Sequence, residues 1–139
     1  MTRVVLDANV LFSAAHTPSG VPGQIVAEWL AGGFELVVSP RLLEEVDRAL
    51  RSPRYGGDRE SPLAFVSQLR ELAVLVEDPA EVESVVLADP ADDFLVALAR
   101  TAQASVIVTG DRHLLEITGL EPPAIRPREF LAILRRHLG

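Results

Sequence analysis

The sequence predicts an α/β domain: a central parallel sheet with helices on both faces. Three observations point there. Short β-branched apolar runs recur along the chain, and they alternate with helical patterns of about ten residues. A cap residue followed by proline opens three of those helical patterns, at Ser39-Pro40, Ser61-Pro62 and Asp89-Pro90.

The first strand is Arg3–Leu6, ending at Asp7. Residues 10–23, VLFSAAHTPSGVPG, read as a small-residue, turn-rich stretch. Helical spacing runs through Gln24–Ala31 and stops at Gly32-Gly33, and Phe34–Val38 forms the second strand. The helix Arg41–Leu50 places Leu42, Leu43, Val46 and Leu50 on one face. Arg51–Glu60 is a polar, glycine-rich loop, followed by a helix from Ser61 to about Leu72. Val74–Val76 reads as a strand, Val85–Leu87 as a further short apolar run, and Pro90–Ala102 as a helix. Ser105–Val108 is a clear strand leading into Thr109-Gly110-Asp111. A short helix at His113–Ile117, a weak strand at Ala124-Ile125 and an amphipathic helix at Glu129–Leu138 complete the chain.

Composition narrows the chemistry. A length of 139 residues fits one domain, 1–139, and a charge of −7 argues against a polyanion binder with a basic face. With no cysteine, thiolate metal sites, disulfides and thiol nucleophiles are excluded. All 13 basic residues are arginine, so P-loop phosphate binding and Schiff-base chemistry are excluded too. His16, His113 and His137 lie far apart and show no metal-ligand spacing. Carboxylate, hydroxyl and arginine remain as catalytic material. No targeting segment is visible, and no apolar run approaches the roughly 20 residues that span a bilayer. The chain reads as soluble and cytoplasmic.

Ligands of open parallel sheets bind beyond the carboxyl ends of the strands. Asp7 and Asp111 both stand at such ends. An ionised Asp7 flanked by apolar residues at a strand end needs a partner. Asp111 also has an ordinary reading as a turn residue, and Asp89 as an N-cap. Helix geometry sorts the remaining acids. Glu45 lies about 115° from the core direction of its helix and Glu44 about 145°, so Glu45 is nearer the core border. Asp92 lies about 105° off its core direction and Asp93 about 155°, which favours Asp92. The plainer alternative for the glutamates is a solvated face, and for the aspartates a favourable place at a helix N-terminus. Four acids converging on one edge repel one another, and such a cluster either raises its pKa values or recruits a cation. Oxygen ligands without His or Cys favour Mg²⁺ or Mn²⁺.

The blocks VVLDANVLFSA, SPRLLEEVDRAL, DPADDFLVALA and VIVTGDRHLL resemble, in order, the four motif blocks of the PIN domain, in the branch of type II toxin components similar to VapC. The resemblance runs from Arg3 to the terminal helix. It implies a Rossmann-like α/β/α fold and an endoribonuclease dependent on Mg²⁺ or Mn²⁺. The family's acidic quartet falls on Asp7, Glu45, Asp92 and Asp111, as catalytic and metal-binding residues. Asn9 and Thr109 match supporting positions, and Asp93 stands beside the third acid. Implied partners are an RNA substrate and an antitoxin protein, with a homodimer as a further assembly and no membrane.

Arg48, Arg51, Arg54 and Arg59 fall within one short stretch beside Tyr55. They are candidate RNA contacts, against the plainer reading of a solvated surface paired with Asp47, Asp58 and Glu60. Other enzymes with a strand-end aspartate, the haloacid dehalogenases and response-regulator receivers, use a lysine that this chain lacks. Two alternatives stay open: an RNA-processing nuclease outside any toxin–antitoxin pair, and a catalytically silent PIN-like module that binds protein through Val21–Leu30 or Phe130–Leu138. The complete quartet argues against the silent module.

Overall fold

A computed structural model describes residues 2–52, 60–84 and 90–138. In chain order the elements are β1 (Arg3–Leu6), α1 (Ala8–His16), α2 (Val21–Leu30), β2 (Glu35–Val38), α3 (Pro40–Arg51), α4 (Glu60–Leu72), β3 (Val74–Leu75), α5 (Pro90–Thr101), β4 (Val106–Val108), α6 (Arg112–Leu115), β5 (Ala124–Ile125) and α7 (Pro127–Leu138). The strands form a parallel sheet in the order β3-β2-β1-β4-β5. From β1 the chain steps outward through β2 to β3, then crosses to β4 and steps outward the other way to β5. Right-handed crossovers therefore put α1 to α4 on one face and α5 and α6 on the other. The packing agrees: α1 touches α2 and α3, α3 touches α4, and α5 lies on β1 and β4. Direction reverses between β1 and β4, and a parallel sheet opens its ligand crevice at such a switch point.

The central strands are apolar on both sides because both faces are covered. Val4, Val5, Leu6, Leu36, Val37, Val38, Ile107 and Val108 are all fully buried. Ser39 caps α3 by accepting the Leu42 N–H at 3.3 Å, with Pro40 in the first turn, as its sequence signature predicts.

Two readings of the sequence need correction. Residues 8–16 form a helix rather than part of a turn-rich stretch, and α2 begins at Val21 rather than Gln24. Asp7 caps α1 through the Asn9 N–H at 3.3 Å, and Val10, Leu11 and Ala14 supply its buried stripe. Alanine and leucine are strong helix formers, and the turn residues begin only at Thr17. Asp93 is as buried as Asp92 (7 % against 5 % exposed), whereas helix periodicity turns it toward solvent. The helix-face argument assumes a solvent side. In α5 the residues from Asp92 through Val96 are all buried, and Glu81, Val82 and Glu83 line a cleft together with Val96, Ala97 and Arg100.

Two helices end alike. At α2, Gly33 N–H bonds Glu28 O at 2.8 Å and Gly32 N–H bonds Trp29 O at 2.9 Å, with Gly32 at φ 88°. At α5, Ala104 N–H bonds Ala99 O at 2.8 Å and Gln103 N–H bonds Arg100 O at 3.1 Å, with Gln103 at φ 56°. Both are Schellman turns, which return the chain to the sheet. The sequence signals only the one with glycine. Of the expected loop Arg51–Glu60, Arg51 ends α3 and Glu60 opens α4, while residues 53–59, the apolar run Val85–Leu87 and the cap expected at Asp89 lie outside the described residues.

Candidate metal centre

The site is built where β1 and β4 end side by side. Asp7 N–H bonds Val108 O at 2.9 Å, so the last link between the strands sets the first acid in place. Thr109, fully buried, donates its hydroxyl to Asp7 Oδ2 at 2.7 Å. The Thr109 hydroxyl oxygen in turn accepts the Asp111 N–H at 3.0 Å. One hydroxyl thus ties the acid after β1 to the turn that carries the acid after β4. Asp111 then caps α6, its Oδ1 accepting the His113 N–H at 2.8 Å. Asn9 supports Asp7 through its backbone N–H, and its side chain is exposed.

Two helices add the other acids. Glu45 of α3 is half-buried and pairs with Arg41 Nε at 3.5 Å, whereas Glu44 is exposed and pairs with Arg48 at 3.4 Å. Asp92 lies in the first turn of α5, and one ligand atom from each of Asp92, Asp111 and His113 falls within 4.8 Å of the others. Burial pushes the Asp7 carboxyl above its ordinary value, and the charge of Asp111 adds to the rise against hydrogen bonds from Thr109, Asn9 and Ala8. Burial also raises Glu45; Asp7 adds to that rise, while Arg41 and Arg48 oppose it. These contacts bring Asp7, Thr109, Glu45, Asp92 and Asp111 to one edge of the sheet, with Asp93 buried next to Asp92.

The donor set is hard oxygen with one imidazole at its margin, which fits an octahedral divalent cation. Like-charged carboxylates facing one another in a partly buried crevice are relieved by such a charge. The arginines differ from the acids. Arg48 and Arg51 each pair with a carboxylate four residues back on α3, Arg51 with Asp47 at 2.8 Å. The partner of Arg48 is Glu44, not one of the acids expected from the sequence. Arg54 and Tyr55 lie outside the described residues.

The site has two members the sequence reading passed over. Arg41 stacks over the Phe94 ring at 4.1 Å while pairing with Glu45, linking α3 to α5 across the crevice. Its signal was the spacing of four residues to Glu45 at the start of a helix. His113 sits 3.2 Å from Asp111 through Nδ1. Its signal was an aspartate two residues earlier at a helix start, which a search for paired histidines overlooks.

A model of the PIN domain matches residues 3–113, spanning every residue of this crevice. The chain belongs to the PIN domain family. PIN domains are generally nucleases. The uncharacterized protein MJ1680 of Methanocaldococcus jannaschii is 26 % identical over 141 residues, covering 93 % of this chain and 89 % of that protein. Among solved structures, PAE2754 from Pyrobaculum aerophilum superposes with a TM-score of 0.71 at 22 % identity, covering 97 % of this chain and 96 % of the other. VapBC2 from Rickettsia felis, bound to a DNA fragment from their promoter, gives 0.65 at 14 % identity over 90 % and 98 %. These likenesses establish the PIN fold. No helix among the described residues is long and apolar enough to cross a membrane.

Proposed function

We propose that this PIN domain is a ribonuclease dependent on Mg²⁺ or Mn²⁺, acting in the cytoplasm as the toxin of a toxin–antitoxin pair. Asp7, Glu45, Asp92 and Asp111 hold the ion, and Thr109, Asn9 and Asp93 support them. The observation that carries this reading is the gathering of acids from four distant parts of the chain around the end of β1. A divalent ion held by these carboxylates would supply Lewis-acid polarisation of the scissile phosphate and a water of lowered pKa. The protein's part is to position. Thr109 fixes the oxygen of Asp7 that it bonds, leaving the other beside the Asn9 N–H. Arg41 restrains Glu45 at the rim, where its guanidinium also suits a phosphate. The preference for RNA rests on the family resemblance, because attack by water requires no 2′-hydroxyl. An antitoxin partner is supported by the resemblance to VapC and by the likeness to VapBC2; a homodimer remains a further assembly.

The test is to incubate the protein with labelled single-stranded RNA and DNA under Mn²⁺, Mg²⁺ or EDTA and identify the product ends. Metal-dependent RNA cleavage leaving 5′-phosphate and 3′-hydroxyl ends is expected. Cleavage that persists in EDTA, or 2′,3′-cyclic phosphate products, would overturn the mechanism.

A further inference from the structure

Carboxylates alone separate Mg²⁺ from Mn²⁺ poorly, since both ions take oxygen ligands in octahedral sites. His113 changes the chemistry on one side of this crevice. Its backbone N–H is tied to Asp111 Oδ1 at 2.8 Å, which tethers the imidazole beside that carboxylate. Nδ1 then lies 3.2 Å from the same oxygen, and one ligand atom from each of Asp92, Asp111 and His113 lies within 4.8 Å of the others. Around an octahedral ion at roughly 2.1–2.2 Å, neighbouring ligands stand about 3 Å apart and opposed ones about 4.3 Å. The 3.2 Å between His113 Nδ1 and Asp111 Oδ1 is the separation of neighbouring ligands on one ion. The ring is also open: 57 % of the side chain is exposed, so it is not held there by core packing.

We propose that His113 ligates the ion together with Asp92 and Asp111, and that its nitrogen makes the site prefer Mn²⁺ to Mg²⁺. This rests on the reading of the crevice as a metal centre. Nitrogen donors bind first-row transition ions more readily than the harder Mg²⁺, which keeps to oxygen and water. His113 therefore sets the selectivity of a site whose four acids supply the charge.

The experiment titrates Mn²⁺ and Mg²⁺ calorimetrically into the wild-type chain, His113→Ala and Asp92→Asn, with melting temperatures as a check on folding. Pulsed electron paramagnetic resonance on the Mn²⁺-loaded protein reads directly bound nitrogen. The wild-type protein should show nitrogen coupling, which His113→Ala removes. The same variant should lose about 10-fold in Mn²⁺ affinity and less than about twofold in Mg²⁺ affinity. Absence of nitrogen coupling in the wild-type protein would overturn the proposal. So would an equal loss for both ions in His113→Ala, because that marks a residue that only orients Asp111. Failure of the underlying reading looks different: the wild-type chain would bind neither ion, or Asp92→Asn would bind both as well as wild type.

Discussion

The two halves of the crevice are built in opposite ways. On the inner half, Asp7 is pinned by a fully buried threonine, faces Asp111 and Glu45, and has its pKa raised by burial. On the outer half, Asp111 caps a four-residue helix in company with an exposed histidine. The inner half is electrostatically uncomfortable and sterically fixed, and the outer half ends in an exposed imidazole. An arrangement of this kind separates the work. The carboxylates of Asp7 and Glu45 are held partly out of water, while His113 stands in solvent.

The largest test of that contrast is Asp7→Asn. Removing the inner charge should lower Mn²⁺ affinity and RNA cleavage on the order of 100-fold. The metal-free protein should melt at the same temperature or slightly higher, because one repelling charge is gone. Calorimetric titration and a thermal melt on the same sample check both, and Mn²⁺ binding equal to wild type would break the contrast. A smaller effect is expected from Thr109→Val, which deletes the donor to Asp7 and the acceptor for Asp111 N–H without changing charge. Stability should fall by about 1–3 kcal/mol and metal affinity by about 10-fold, read by urea denaturation and the same titration. If only stability falls, the hydroxyl holds the fold and not the acids.

The smallest effect concerns pH in the metal-free protein. Asp7 and Glu45 both have folded pKa values above their ordinary ones, chiefly through burial. The charges around Asp7 are Asp111 and Glu45; around Glu45 they are Arg41, Arg48 and Asp7. A raised carboxyl binds its proton more tightly in the folded chain than in the unfolded one. The stability from these two groups is complete below their ordinary values and is lost as pH climbs through the raised ones. Denaturation at a series of pH values should show that loss, weaker in Asp7→Asn and cancelled by saturating Mn²⁺. A slope unchanged by Asp7→Asn would place the titrating group elsewhere.

Much of this was legible in the residues, for reasons that differ from one to the next. Asp7 could be read because a charge at the end of a buried strand has few uses. Glu45 was separable from Glu44 because α3 has a true solvent side, so helix periodicity reports exposure. At α5 the same periodicity does not report exposure, since Asp92 and Asp93 are both buried. Helix α1 is masked in the sequence because its cap, Asp7, is also the first acid of the site, and its small residues run straight into the turn residues from Thr17. Arg41 and His113 act through contacts across elements or around a helix start, which no periodicity encodes.

The strand order β3-β2-β1-β4-β5 has a consequence in time as well as space. Strand β1 leads the chain, yet its inner neighbour β4 begins only at Val106. A chain still under synthesis, or cut before Thr109, already contains Asp7, Glu45 and Asp92 but lacks the strand that bonds the backbone of Asp7 and the hydroxyl that orients its carboxylate. The acids cannot assemble until the sequence that closes them has emerged. The hold on Asp7 is therefore made by a residue 102 positions further along the chain, and exists only when both ends of that span are present.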